Sequence, residues 1–343
     1  MAAVAVTLAL LLGAGAAAAP APAPAKLELL SYNVAALPLI HPSVPQRMAA
    51  AAERLRDSAF GVVGLQEVWL ERHAKILTSG AAYPHFSRLP TRGFGSGLLT
   101  LSRWPILEQE ALIFTCRPSA LRAGQGESIA HKGALWTRIA TPHGELDVYN
   151  THLIANYPSA MYTTVRLTQL FELAEFVLER SAGRPYAILG DLNSAPGERG
   201  YDALRGMLGL SDPCFDKKES CGPSGSDPTR RIDHILLPSA AAKGARGRLE
   251  FTERVPGLGI AYSDHVGVAA SLPAASAKLG GAPEPAARAA ALLRVEEAIA
   301  GMMEQMIERK AKRSWIPVYG ALLAARYDHQ LAQLNSIRAR VET

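Results

Sequence analysis

The sequence predicts an α+β domain in which two β-sheets pack against each other, followed by a C-terminal helical extension. Apolar runs of strand length occur in closely spaced pairs, interrupted by only a few helical patterns, which favours layered sheets over a strictly alternating βαβ fold. The composition shifts after Leu272: residues 273–285 are rich in Ala, Gly and Pro. We therefore predict the main domain over 26–272, a linker over 273–285 and helices over 286–343.

The composition excludes a disordered chain but does not identify a binding partner. The chain has 343 residues, of which 48% are hydrophobic and 20% charged, with a formal net charge of +5. A disordered chain would combine low hydrophobicity with high net charge. The small positive charge permits an anionic partner without requiring one.

The N-terminus is predicted to be an export signal. Residues 1–19 contain no charged side chain, and the apolar run Val4–Leu12 is too short to span a bilayer. An Ala-Pro repeat follows, so residues 1–25 are assigned to a signal peptide and leader. The alternative is a disordered Ala-rich leader. Export predicts a secreted or periplasmic protein, with membrane association as a further expectation.

The three cysteines fit the same expectation. Cys214 and Cys221 flank a polar loop and are close enough in sequence to close a small disulfide, as in many exported proteins. Cys116 is predicted to be a small buried hydrophobe. A metal site built on thiols is improbable because the chain has no CxxC pair.

The first strand is predicted from the apolar run Leu27–Tyr32, and a helix follows in which Met48 and Leu55 share one face. Further apolar runs and one long amphipathic pattern complete the domain. Strands are predicted over residues 27–32, 61–66, 97–101, 134–139, 146–150, 186–189, 232–237 and 266–270, and helices over 46–58 and 164–179.

The C-terminal extension is predicted to be a helical hairpin. Apolar residues recur at helical spacing over 288–313 and again over 327–341, on either side of the apolar, aromatic stretch Trp315–Tyr319. Its expected role is packing on the main domain or self-association. Because basic residues directly precede Trp315, contact with a membrane surface is the alternative.

Polar residues recur where the predicted strands begin or end. Charged groups beside buried strands are costly unless they are paired or bound to metal, and six such motifs in one domain are hard to explain as accidents. They are Asn33, Glu67, His152, Asp191 with Asn193, Asp233 with His234, and Asp264 with His265. Carboxylate and amide oxygens suit Mg²⁺, with Mn²⁺ as a substitute, and such a site is equipped for phosphoester hydrolysis.

These motifs, in this order, resemble the endonuclease/exonuclease/phosphatase superfamily, which includes deoxyribonuclease I, abasic-site endonucleases, inositol-polyphosphate 5-phosphatases and neutral sphingomyelinases. The matching stretches are Asn33, Gly64–Val68, Asn150–His152, Gly190–Asn193, Arg231–Asp233 and Ser263–His265. The resemblance implies a four-layered α/β/β/α sandwich of the deoxyribonuclease I type, with the site at one end of the two sheets.

Within the superfamily, the sequence looks most like the neutral sphingomyelinases. This resemblance is carried by Gly95–Leu98 with Ser102–Ile106, the pair Lys132–Gly133, Asn150–Tyr157, and Arg166 with Gln169–Ala174. It implies that Glu67 is the principal Mg²⁺ ligand, that Asn33 lies near the metal, and that Asp264 holds a water of the metal. Lys132 is a candidate phosphate contact, although a solvated surface lysine is nearly as common.

The resemblance also implies the catalytic groups. His265 is the general base, oriented by Asp233 through its other ring nitrogen. Asp191 and Asn193 position the attacking water and contact the phosphate. His152 stabilises the pentacovalent state or protonates the leaving oxygen, and the acid and base roles of the two histidines are open to exchange. His234 is expected to be structural.

The functional hypothesis is an Mg²⁺-dependent phosphodiesterase that hydrolyses sphingomyelin to ceramide and phosphocholine. Its partner would be a phospholipid at a membrane surface, and nucleic acid is not favoured. The alternatives are a secreted Mg²⁺-dependent nuclease of the same fold and a non-catalytic binding module. The sequence predicts no oligomeric state.

Overall fold

Two six-stranded sheets form the centre of the molecule. The computed structural model describes residues 24–37, 40–88, 95–116, 131–155, 160–181, 183–215, 221–313 and 319–341. Nearly all of the predicted leader, the polar loop 216–220 and the aromatic stretch at 315–318 lie outside the described residues.

The main domain contains twelve described strands, five of which follow one another with no described helix between them. The strands are β1 (Lys26–Asn33), β2 (Val62–Gln66), β3 (His85–Ser87), β4 (Leu99–Ser102), β5 (Ile106–Ile113), β6 (Gly133–Thr141), β7 (Gly144–His152), β8 (Tyr186–Asp191), β9 (Leu210–Ser211), β10 (Asp233–Pro238), β11 (Arg246–Glu250) and β12 (Gly267–Pro273). The helices are α1 (Val44–Arg56), α2 (Glu71–Thr78), α3 (Ala160–Ser181), α4 (Arg199–Leu208), α5 (Ser239–Ala242), α6 (Pro285–Arg313) and α7 (Tyr319–Val341).

Each sheet is mixed, and its parallel pair lies near the centre. The first sheet has the order β11-β12-β1-β2-β4-β3, with β1 parallel to β2, and the second has the order β5-β6-β7-β8-β10-β9, with β7 parallel to β8. The carboxyl ends of parallel neighbours lie at the same edge of a sheet. The residues that end β1, β2, β7 and β8 are therefore brought to one end of the sandwich.

Side-chain alternation along β1 shows how the layers form. Leu27 and Leu29 face the core between the sheets, whereas Leu30 and Tyr32 face the helices α1 and α2. Successive strand residues point to opposite faces, so a strand that is apolar on both faces must be covered on both. The helices α3 and α4 cover the second sheet in the same way. The four-layered sandwich predicted from the sequence is confirmed.

The C-terminal helices extend the core over the second sheet. The buried cluster that contains α3 and α4 also contains Val295 and Ile299 of α6 and Leu334 and Ile337 of α7. The two helices therefore form a hairpin that shares its apolar core with the main domain. Among the described helices, none is long and apolar enough to cross a membrane.

Replacing Ile299 with alanine is expected to lower the free energy of unfolding by about 2–4 kcal/mol, because its removed methyl groups leave a cavity in the shared core. Ile299 is 0% exposed, whereas Ile307 on the same helix is 55% exposed. Ile307→Ala is the matched control and should change stability by less than about 0.5 kcal/mol. Urea denaturation measures both. Equal small effects would show that α6 does not share the domain's core.

The elements missing from the sequence prediction lie mostly at the edges. The missing strands all lie at sheet edges: β3, β5, β9 and β11. The residues of β5 are partly or fully exposed along its length. Edge strands carry polar residues on their open side, which weakens the apolar pattern used to find strands. The helices α2, α4 and α5, each ten residues or shorter, were also not predicted.

Two features tie loops to the domain. Cys214 and Cys221 form a disulfide, and Cys116 is buried as a free thiol. The segment predicted as a linker contains a short 3-10 helix, Ser276–Lys278, and its Ala277 packs into the core between the sheets. This segment therefore lies against the domain before α6 begins.

Candidate active site

Strand register brings the predicted site residues together. His152 lies opposite Asp191 across the parallel β7–β8 pair, and Asp191 lies opposite Asp233 across β8–β10. Gly190 permits this approach, because a Cβ at that position would lie 2.2 Å from the carbonyl oxygen of Thr151. The second sheet therefore contributes three neighbouring polar residues to one edge.

Asn33 links the two sheets at this edge. Its side-chain Nδ2 donates to Glu67 Oε1 and to Asp191 Oδ2, each at 3.1 Å. Its Oδ1 accepts a hydrogen bond from the backbone N–H of Ala35 at 3.0 Å. One buried carboxamide therefore holds two carboxylates from different sheets beside each other.

Two site residues adopt left-handed backbone conformations. Glu67 has φ 63° and Asn193 has φ 50°. Such conformations are uncommon for residues other than glycine, and they cluster at functional sites where the surrounding structure enforces them. Asn193 is held by its N–H to Asp191 Oδ1 and by its Nδ2 to the carbonyl oxygen of Leu153. The backbone thus aims both side chains at the end of the sandwich.

His265 and Asp233 form a buried pair. Nδ1 of His265 lies 2.8 Å from Oδ2 of Asp233, and its Nε2 lies 3.8 Å from Asp191 Oδ2. Burial alone would lower the pKa of His265, but the charge and hydrogen bond of Asp233, assisted by Asp191 and Asp264, raise this pKa to about 10. With Nδ1 donating to Asp233, Nε2 is the nitrogen that faces the site.

His152 and Lys132 form a second buried pair. Nζ of Lys132 lies 2.8 Å from Nε2 of His152. An ammonium group only donates, so Nε2 accepts and Nδ1 carries the ring hydrogen. Burial, together with the positive charges of Lys132 and His265, holds the pKa of His152 well below its usual value. His152 is therefore neutral and lies beside a buried cation.

The donor set fits a divalent cation. One side-chain donor atom from each of Asp191, Asp233 and His265 lies within 4.8 Å of the others, and all three residues are buried. Oδ1 of Asp233 has no hydrogen-bond partner among the described residues. Burial and the neighbouring Asp233 charge raise the pKa of Asp191 to about 7, against the opposing charges of His265 and Lys132. Such uncompensated buried carboxylates are the usual surroundings of a hard cation.

The predicted site residues fall into four groups by their place in the structure. The compact donor group consists of Asp191, Asp233 and His265, whereas Glu67 and Asn33, predicted as metal ligands, adjoin it through the Asn33 amide. Lys132, Asn193 and His152 line its other side. Asp264 is exposed at the rim, where Ser263 Oγ lies 3.4 Å from its Oδ1. The individual roles remain predictions.

A second buried network of hydrogen bonds, centred on Asp212, lies next to the site. It was not predicted from the sequence. Asp212 Oδ2 accepts hydrogen bonds from Arg231 at 2.8 Å and Tyr201 at 2.9 Å, and lies 3.1 Å from His234 Nδ1. Nε2 of His234 donates to the carbonyl oxygen of Ser194 at 2.9 Å. Because Ser194 directly follows Asn193 and His234 directly follows Asp233, this network fixes the loop after β8 and the start of β10, which both carry site residues. His234 therefore has the structural position expected for it.

Asp212→Asn is expected to destabilise the protein by about 3–5 kcal/mol, since it leaves the buried guanidinium of Arg231 without its counter-charge. Burial would raise the pKa of Asp212, but His234 and Arg231 lower it below its ordinary 3.8. A lowered folded-state pKa stabilises the fold above the unfolded-state pKa, and this contribution is lost as the pH falls below it.

The difference between the wild type and Asp212→Asn should therefore be largest near neutral pH and shrink below about pH 4. Urea denaturation at a series of pH values measures this difference. Asp227→Asn, a change at an exposed aspartate, is the control and should have a much smaller effect. A difference that is constant down to acidic pH would contradict the assigned ion pair.

Comparison with known proteins agrees with this geometry. A model of the Endonuclease/Exonuclease/phosphatase family matches residues 30–265. A putative neutral sphingomyelinase of Drosophila melanogaster is 30% identical over an alignment of 267 residues, and the match covers 72% of this chain and 60% of the fly protein. An inositol phosphosphingolipids phospholipase C of Saccharomyces cerevisiae is 26% identical over 72% of this chain and 59% of the yeast protein. The chain thus matches about three fifths of these relatives' length.

A solved structure shares the fold. A beta toxin variant from Staphylococcus aureus, determined with bound magnesium ions, superposes with a TM-score of 0.58 at 18% identity, covering 71% of this chain and 99% of the toxin. The resemblance to neutral sphingomyelinases predicted from the sequence is confirmed by the fly relative. Since the family model covers nearly all of the two sheets and every residue of the site, the chain belongs to the Endonuclease/Exonuclease/phosphatase family.

Proposed function

We propose that this protein is an exported, Mg²⁺-dependent phosphodiesterase that hydrolyses sphingomyelin to ceramide and phosphocholine. The observation that carries the proposal is the single buried cluster of carboxylates, imidazoles and one ammonium group at the end of the sandwich. The name of the fly relative supports the lipid substrate. The Cys214–Cys221 disulfide supports export, because disulfides persist in oxidising compartments.

The residues that would hold the cation are Asp191, Glu67 and Asn33, beside the hydrogen-bonded pair of Asp233 and His265. The bound cation would neutralise the negative charge of the substrate phosphate and of the surrounding carboxylates. Lys132 adds a second positive charge on the opposite side, next to His152. A phosphodiester placed between these groups has compensating charge on two sides.

His265 is positioned to accept the proton of the attacking water. Its Nδ1–H donates to Asp233, so Nε2 faces the site and is the atom that takes the proton. The carboxylates raise the pKa of His265, so its basic form requires that their charge be neutralised. Water forms the new bond to phosphorus as the bond to the ceramide oxygen breaks. The Lys132–His152 pair lies where it can stabilise the pentacovalent state and supply a proton to the leaving oxygen.

The choice of head group is the finer part of the proposal. The fly relative is named for sphingomyelin, a lipid with a phosphocholine head group, and the yeast relative is named for inositol phosphosphingolipids. Both classes of lipid share a phosphodiester attached to a sphingolipid. The test is therefore a panel of sphingomyelin, inositol phosphoceramide, lysophosphatidylcholine and double-stranded DNA, each offered with Mg²⁺ and with EDTA.

We expect phosphocholine release from sphingomyelin that is abolished by EDTA, with slower reaction of the other lipids and no cleavage of DNA. Glu67→Ala, verified as folded by circular dichroism, is the control for contaminating activity. Preferential cleavage of the inositol lipid would correct the head group, and DNA cleavage that weakens steeply with salt would replace the proposal with a nuclease. Inactivity against every phosphodiester would overturn it.

A further inference from the structure

Arg47 is a buried arginine whose hydrogen bonds all go to backbone carbonyl groups. It is 3% exposed and lies on α1. Nε donates to Pro42 O at 3.0 Å, Nη1 to Val34 O at 3.0 Å and Tyr262 O at 2.6 Å, and Nη2 to Ala35 O at 2.7 Å. Desolvating a guanidinium is costly, and charged donors of this kind form strong hydrogen bonds. Its burial therefore needs an explanation beyond packing.

The four carbonyl groups belong to two loops that lead to the site. Val34, Ala35 and Pro42 lie in the loop after Asn33, and Tyr262 precedes Ser263, Asp264 and His265. The same two loops meet again where Ser263 Oγ donates to Asn33 O at 2.7 Å. Arg47 therefore joins the segment that supplies the bridging amide to the segment that supplies the histidine.

The loop after Asn33 contains a strained residue at the point that Arg47 holds. Ala35 has φ 47°, a left-handed conformation that is unfavourable for an alanine. In this conformation its N–H donates to Asn33 Oδ1, and its carbonyl oxygen accepts from Arg47. If Ala35 relaxed, Oδ1 of Asn33 would lose its donor, and the carboxamide would be free to rotate away from Glu67 and Asp191.

We infer that Arg47 is a positioning residue of the cation site, acting through the backbone of Ala35 on the carboxamide of Asn33. It holds Ala35 in the left-handed conformation, and this fixes the amide that sets Glu67 beside Asp191. Arg47 touches no reacting atom. A test of the inference by kcat/KM rests on the proposed function. A test by the affinity for Mn²⁺ rests only on cation binding.

The test compares Arg47→Lys, Ala35→Gly and the double variant with the wild-type full-length protein. Arg47 reaches its four carbonyl groups from three separate nitrogen atoms, and Ala35 O is bonded by Nη2 alone. Lysine keeps the charge but has a single donor nitrogen, so it cannot reach the carbonyl group of Ala35 together with the other three. Glycine adopts the left-handed conformation without the cost that alanine carries. Arg54→Lys is the matched control, because Arg54 is a half-buried residue of the same helix that pairs with Glu250 instead of the carbonyl groups of the site loops. Isothermal titration calorimetry gives the Mn²⁺ dissociation constant, and hydrolysis of sphingomyelin gives kcat/KM.

We expect Arg47→Lys to weaken Mn²⁺ binding and to lower kcat/KM by about tenfold to a hundredfold, as for other groups that orient ligands without binding the metal. Ala35→Gly should leave both close to wild type. In the double variant glycine should recover about fivefold or more of the loss in Mn²⁺ affinity, since it removes the cost of the left-handed turn. A purely structural role would change the stability of the protein but not the Mn²⁺ affinity of the folded Arg47→Lys variant, so there would be no loss of affinity for glycine to recover.

Unchanged Mn²⁺ affinity in folded Arg47→Lys would overturn the inference, as would a double variant no better than Arg47→Lys. Absence of Mn²⁺ binding to the wild type would overturn it as well. If Arg47→Lys unfolds, Ala35→Gly/Arg47→Lys and the milder Ala35→Val provide the test, since valine should disfavour the left-handed turn and weaken binding while Arg47 is intact. Mn²⁺ binding that responds as expected, in a protein that cleaves no phosphodiester, would refute the proposed function and leave this inference standing.

Discussion

His265→Ala is expected to lower kcat/KM for phosphodiester hydrolysis by about 10²–10⁴-fold while the protein remains folded. Nε2 of His265 faces Asp191 while Asp233 fixes Nδ1, so the ring presents one nitrogen to the site as a base once a bound cation neutralises the neighbouring carboxylates. Removing the ring removes the base, whereas the strands on either side are held by backbone hydrogen bonds that remain. Steady-state rates at saturating Mg²⁺ measure the loss.

Asp233→Asn tests the orientation of the His265 ring, whereas His265→Ala removes the ring. Asp233 raises the pKa of His265, so replacing it should lower that pKa and move the acidic limb of the pH–rate profile to lower pH. The rate at the optimum should also fall, because the carboxylate no longer fixes the tautomer. His85→Ala, at the edge strand β3, is the control and should leave the rate unchanged. A normal rate for His265→Ala would remove this residue from the mechanism.

The positions of the site residues were predictable because of a property of strands. Parallel neighbours end at the same edge of a sheet, so strand position places Glu67 near Asn33 in the first sheet and His152 near Asp191 in the second. That the two edges meet at one end of the sandwich was implied by the family resemblance. The membership of the compact donor group was not predictable in this way. It depends on the register between β8 and β10, which sets Asp191 opposite Asp233, and register is fixed by long-range pairing.

Residues that act through the backbone were harder to find. Arg47 lies three residues after Val44 and four before Ala51, both buried, so its helical spacing places it on the buried face of α1. That spacing was the available signal, but a charged residue on a short helix is ordinarily read as solvated. Asp212 follows the two-residue strand β9 and has no periodic pattern around it. Its role depends on Arg231 and His234, which reach it from the next strand of the sheet.

Replacing Glu67 with glutamine is the change expected to affect metal dependence most. Glutamine keeps the shape of the side chain and the acceptor for Asn33 Nδ2, which donates to Glu67 Oε1 at 3.1 Å. It removes one negative charge from a site that also holds Asp191 and Asp233. We expect the Mg²⁺ concentration for half-maximal activity to rise by about 100-fold or more, since the change reaches a predicted ligand directly.

The same variant makes an opposite prediction for stability without metal. Glu67 is held at φ 63° and its carboxylate lies one amide from that of Asp191. Like charges at a shared site repel, so neutralising one of them should leave the melting temperature in EDTA equal to or above that of the wild type. Added Mg²⁺ stabilises only the form that binds it, so it should raise the melting temperature of the wild type and not that of Glu67→Gln.

Glu71→Gln is the matched control for both measurements, because Glu71 is a 66% exposed residue on α2 paired with Arg88. It should alter neither the Mg²⁺ requirement nor the Mg²⁺-induced rise in melting temperature. An equal rise in Glu67→Gln and the wild type would show that the cation binds without Glu67. The site would then be built on Asp191, Asp233 and His265, with Glu67 serving only to orient Asn33. Loss of the rise in Glu67→Gln alone would instead place the cation between Glu67 and Asp191, where the Asn33 amide joins the two sheets.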